Sequence, residues 1–126
     1  MTIYIRICAA WFLLAATADA AATENNQMRV TATAYNSLPA QTDDTPDIAA
    51  WGDRLHPGIK AIAVSRDLLT QYGLKHRDKV KISGLPGEYT VLDKMNKRWR
   101  KKIDIYMGKD RRKALRWGKK NVTIQW

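Results

Sequence analysis

The feature that most restricts this chain is a series of short segments in which apolar and polar side chains alternate, each cut off by glycine, proline or charge. Met28 to Tyr35 places Val30, Ala32 and Ala34 on one face and Thr31, Thr33 and Tyr35 on the other. Asp78 to Ser83 does the same with Val80 and Ile82, Ile103 to Tyr106 with Ile103 and Ile105, and Asn121 to Trp126 with Val122, Ile124 and Trp126. Lys60 to Val64 is short and mostly apolar, and Glu88 to Asp93 follows the turn at Gly84 to Gly87. A period of two is the signature of a strand with one buried face. About six strands this short in roughly 100 residues fit a small closed barrel better than a sandwich, because closure leaves no edge unpaired.

Two helices interrupt the strands. Ser65 stands where a cap belongs, Leu68, Leu69 and Tyr72 follow at helical spacing, and Gly73-Leu74 supplies the stop. Asp110 is placed to cap a second helix that runs to Trp117 and ends at Gly118. Between Asn36 and Ile59 the alternation vanishes into a long segment with three prolines and two glycines. A connection of that length inside a small domain is usually functional or disordered.

The N-terminus reads differently. Arg6 is followed by an apolar stretch, Ile7 to Ala18, too short to span a bilayer comfortably, and Ala18-Asp19-Ala20 offers small residues for cleavage. Residues 1–20 are therefore expected to be a cleavable signal peptide, 21–27 a flexible lead-in, and 28–126 the folded domain of an exported, periplasmic or cell-envelope protein. Ile7 occupies the position before Cys8 where a lipid-attachment site needs a small residue. Cleavage would remove Cys8, the single cysteine, so the domain would have neither a disulfide framework nor a thiolate cluster. His56 and His76 have no ligand partner at short spacing, and no metal or other cofactor is expected. The formal charge of +10 favours anionic partners. Nucleic acid is the default for a basic chain, but for an exported one anionic envelope polymers and membrane surfaces take precedence. A monomer is expected.

The residues able to carry chemistry are Asp93 at the end of one strand and Asp104 within the next, an acid/base pair in position to protonate a leaving oxygen between sugars. The competing reading makes both ion-pair partners of the thirteen basic residues from Lys94 to Lys120. Tyr35, Trp51 and Trp99 could stack on sugar faces, and Trp99, flanked by Arg98 and Arg100, is expected to be exposed. Trp117 and Trp126 fall at packing positions.

The motifs AVSRDL (63–68), VLD (91–93) and IDIY (103–106), with TATAY (31–35), QTDDTP (41–46) and IDIYMG (103–108), resemble the 3D domain, named for three aspartates. The resemblance runs from Thr31 to Trp126. It implies a six-stranded double-psi β-barrel with two short helices, as in MltA-type lytic transglycosylases and related cell-wall enzymes. It further implies cleavage of peptidoglycan between MurNAc and GlcNAc to 1,6-anhydro products, with Asp104 as the essential acid/base and Asp93 in support. Tyr35, Thr33, Ser65, Lys94 and Trp99 are the substrate contacts expected on that basis.

Two departures stand out. Ser65 occupies the position of the family's first aspartate, with Asp67 two residues on in the first turn of a helix. The glycine-rich stretch usual after the second aspartate is replaced by Lys94-Met95-Asn96-Lys97-Arg98-Trp99. Lys102 shares the face of Asp104, and a neighbouring cation is expected to pull the carboxyl pKa down, the wrong direction for a general acid. These departures support an alternative, a non-catalytic barrel that binds peptidoglycan or another polyanion.

Overall fold

The structure, a computed structural model, describes residues 26–36 and 48–126. The expected signal peptide, most of the lead-in and the QTDDTP motif lie outside the described residues.

Six strands form a closed barrel: β1 (Gln27–Tyr35), β2 (Ala61–Val64), β3 (Lys79–Ile82), β4 (Glu88–Lys94), β5 (Lys102–Tyr106) and β6 (Lys120–Gln125). Around the barrel they run β1-β5-β2-β4-β3-β6, and β6 closes on β1. The β1/β5 and β2/β4 pairs are parallel and the remaining four antiparallel. Gln27, assigned to the lead-in from sequence, already belongs to β1, and Asn26 exchanges backbone hydrogen bonds with Trp126.

Alternation decides what fills the interior. Val30 and Ala32, Ile62 and Val64, Val80 and Ile82, Ile103 and Ile105, and Val122 and Ile124 join Val91 in one buried cluster. Each valine and isoleucine among them gains about 1.5–3 kcal/mol on burial. Helix α1 (Arg66–Thr70) adds Leu68 to this cluster. Its stop follows the sequence reading: Gly73 takes φ +87°, which a side chain would strain, and the Leu74 N–H returns to the Leu68 carbonyl at 3.0 Å. Helix α2 (Arg111–Trp117) is capped by Asp110, whose carboxylate accepts the Lys113 N–H at 2.9 Å. Trp117 packs against the core, and its indole N–H donates to the Ala32 carbonyl at 3.3 Å.

A second, smaller cluster lies on the outer side of the wall. Ala49 and Leu55, from the connection between β1 and β2, cover Ala61, Leu92 and Tyr106. This covering segment fixes the borders of the site described next.

Candidate functional site

Register brings four residues into one row across the outer face of the barrel. Thr33 on β1 pairs with Asp104 on β5, Asp104 pairs with Ala63 on β2, and Ala63 pairs with Asp93 on β4. Asp93 and Asp104, on strands consecutive in the chain, are thus separated by a third strand. Neighbouring strands lie about 4.8 Å apart, so the two Cα atoms are roughly 10 Å apart. Between them Ala63 presents only a methyl group, and the space it leaves forms a cleft of about 230 Å³ lined by Tyr35, Ala63, Asp93, Lys94, Met95, Asn96, Trp99 and Asp104.

Asp93 reaches this face through a β-bulge. Ile62 pairs with Val91 but Ala63 pairs with Asp93, leaving Leu92 as an extra residue in β4. Strict alternation after the interior Val91 would point Leu92 outward and Asp93 into the apolar core. With the bulge, Leu92 packs in the outer cluster and Asp93 lines the cleft. Bulges commonly re-aim a side chain in this way. One oxygen of Asp93 accepts backbone N–H bonds from Lys94 at 2.9 Å and Ala50 at 2.7 Å, tying the covering segment to the cleft rim.

The electrostatics of Asp104 reverse the expectation from sequence. Burial raises its pKa above the ordinary carboxylate range; the Thr33 hydrogen bond and the Lys102 charge pull it down, the Asp93 charge pushes it up, and the net is upward. The Thr33 hydroxyl donates to Asp104 at 3.0 Å and fixes the carboxyl's orientation. Lys102 does share the face of Asp104, but its ammonium sits over the Trp99 ring, 3.5 Å from the centroid. Burial also lowers the pKa of that amine, with Asp104 opposing and Lys119 and Arg98 reinforcing the shift. Desolvation outweighs the cation at Asp104, and a carboxyl held towards its protonated form is what a general acid requires.

Tyr35 stands beside both carboxylates. Burial first, then the charges of Asp93 and Asp104 and the proximity of Tyr106, push its phenol far above the usual range, so the hydroxyl keeps its proton. That hydroxyl faces Asp93, yet among the described residues it meets no acceptor in hydrogen-bonding geometry. It is a buried donor at the cleft wall, closed to solvent and directed towards Asp93.

The other expected contacts divide. Lys94 lines the cleft, with its ammonium 5.5 Å from the centroid of the Trp51 ring. Trp99 lines it too, but is half-buried rather than exposed, because Lys102 covers its ring and the Arg98 guanidinium lies 4.8 Å from the centroid. Ser65 does not reach the cleft: it is fully buried, and its hydroxyl accepts the Lys102 N–H at 3.0 Å. Asp67 is also buried and accepts the Lys101 N–H at 2.9 Å, where Lys101 adopts φ +43°. Both side chains hold the start of β5 in place. Trp51 stacks on His76, with centroids 4.4 Å apart and planes at 24°.

Sequence reasoning missed the partners of His76. Its Nε2 meets one oxygen of Asp53, and Arg77 Nη2 donates to the other at 2.7 Å. The contact joins residues 23 positions apart, and no local spacing announces it. Among the described residues no three His, Cys, Asp or Glu side chains gather as a metal site would need. Comparison of the chain with protein-family models and with curated proteins gives no match.

Proposed function

We propose that this protein is an exported peptidoglycan-remodelling enzyme of the lytic transglycosylase type, with Asp104 as its acid/base. The observation that carries the reading is a carboxyl whose pKa is raised by burial, oriented by Thr33, and open to a sugar-sized cleft. The protonated carboxyl of Asp104 gives its proton to the glycosidic oxygen as the C1–O bond breaks. The resulting carboxylate then takes the proton of the same sugar's C6 hydroxyl, whose oxygen closes on C1 as the 1,6-anhydro ring. No water is consumed, so the second carboxylate needed by hydrolases is not required. The negative charge of Asp93 stabilises the developing oxocarbenium ion, and the Tyr35 ring forms one wall of the cleft. The closed six-strand barrel with two parallel pairs is compatible with the double-psi topology that belongs to this reading.

The test is digestion of purified sacculi by the protein, with mass spectrometry for anhydro-muropeptides. Wild type releases them and Asp104→Asn does not; undiminished product from Asp104→Asn removes the proposed acid. A second reading, a non-catalytic wall-binding module, is favoured by the cationic aromatic platform of Trp99, Arg98 and Lys102 at the cleft rim. Salt-sensitive sedimentation with sacculi and no soluble product from wild type is its signature.

A further inference from the structure

A second and larger hollow, of about 570 Å³, opens further along the same wall. Its floor is apolar, built from Ile59, Leu85, Tyr89, Tyr106 and Met107, and its rim carries Lys60, Lys109 and Lys113. Asp110 is the one acid in the lining, and its carboxylate already caps α2. Three lysines against one aspartate leave a formal +2. Lys60 donates to the Pro86 carbonyl at 3.1 Å and lies near the Tyr89 ring. The ammonium groups of Lys109 and Lys113 have no hydrogen-bond or ion-pair partner among the described residues. A volume in the small-ligand range, an apolar floor and unpaired cations at the rim fit a short chain that carries carboxylates on an aliphatic frame. A polyphosphate, which has no hydrocarbon surface, would leave the floor unused.

The two hollows are neighbours. Asp104 and Tyr106 lie two residues apart on one face of β5, about 7 Å along the strand. Tyr35 lines the first cleft and packs on Tyr106 of the second, with ring centroids 5.5 Å apart. Tyr35 and Tyr106 thus stand between the two hollows, and a ligand that carries a side branch can occupy both at once.

We infer that the lysine-rimmed hollow binds an acidic peptide, carried as a branch on the glycan whose backbone occupies the Asp93/Asp104 cleft. The inference rests on the glycan reading of that cleft. Its test is calorimetric titration of the protein with peptide-bearing glycan fragments and with the same fragments stripped of peptide by an amidase. Wild type is expected to bind the peptide-bearing form roughly tenfold more tightly, as two partly exposed charge pairs would give. The double variant Lys109→Glu/Lys113→Glu, altered at two exposed positions, loses that preference while keeping its affinity for stripped glycan and its melting temperature. Equal affinity of wild type for both fragments, or an unchanged preference in the double variant, overturns the inference. A parallel arm records ¹⁵N shifts with the free peptide Ala-Glu-Ala-Glu and its glutamine analogue. Charge-dependent shifts at Tyr89, Tyr106 and Lys109 with no binding of stripped glycan would retain the peptide site and remove the glycan reading. Shifts at the same residues produced more strongly by inorganic polyphosphate would overturn the peptide assignment.

Discussion

Replacing Asp104 by asparagine separates the charge of this carboxyl from its shape. The amide keeps an oxygen where Thr33 donates its 3.0 Å hydrogen bond, and it occupies the same volume beside Ala63. What it removes is a charge that burial disfavours. Because the folded pKa lies above the unfolded one, the folded protein binds more protons than the unfolded chain in the interval between them. Stability therefore rises as pH falls through the folded pKa, and above it the full penalty of the buried charge is present. The favourable terms are a charge-assisted bond from Thr33, stronger than its neutral counterpart by about 1 kcal/mol, and a partly exposed Lys102 worth up to about 1 kcal/mol. Burial and the Asp93 charge exceed these. The neutral variant should recover the remainder, about 0.5–1.5 kcal/mol at pH 7, within the range of single stabilising substitutions. For a domain near 100 residues that corresponds to a melting temperature higher by roughly 2–7 °C. Differential scanning calorimetry of both proteins from pH 4 to pH 8 measures it. The gain should be largest at neutral pH and shrink as pH falls towards the ordinary carboxylate range. A variant less stable at pH 7, or a gain that does not change with pH, would refute the claim that desolvation dominates at Asp104.

Three further outcomes follow from named contacts. Thr33→Val removes the hydrogen bond that lowers the Asp104 pKa, so the alkaline limb of the pH profile for anhydro-product release should move to higher pH; movement the other way would contradict the assignment. Ser65→Ala strands the buried Lys102 N–H and should destabilise by about 1–3 kcal/mol in urea unfolding, with a loss below about 0.5 kcal/mol counting against the structural role given to Ser65. Asp53→Asn weakens the contacts with His76 and Arg77 that hold the covering segment. Amide exchange at Ala49 and Gly52 should then accelerate about tenfold while global stability changes by less than about 1 kcal/mol, and unchanged exchange would show the latch to be idle.

The strands were legible because their signal is local. Val30, Ile62, Val80, Ile103 and Ile124 alternate with polar or small neighbours, and each points inward as the period requires. Both helix stops were legible for the same reason, since Gly73 and Gly118 adopt positive φ where the pattern ended. Asp93, Asp104, Tyr35, Lys94 and Trp99 line one cleft, although they come from three different strands and the segment that follows β4. Ser65 and Asp67 were harder to place: a serine before a helix reads as a cap, but this one makes no side-chain cap bond and serves β5 instead. The partner of His76 and the lysine-rimmed hollow left no trace in any window of the chain, because each is assembled from segments far apart in sequence.

Sequence alone determined which side chains share a face, since the pleat of a strand imposes a period of two wherever the strand lies. It also determined the excess of cations and the presence of two carboxylates flanking a basic stretch. Only the tertiary structure decided that β2 lies between the strands of Asp93 and Asp104, that Leu92 bulges so Asp93 faces outward, and that burial overrides Lys102 at Asp104. The physical reason is range. Backbone geometry acts between adjacent residues, whereas strand neighbours and the local dielectric are set by packing among residues that the chain keeps far apart.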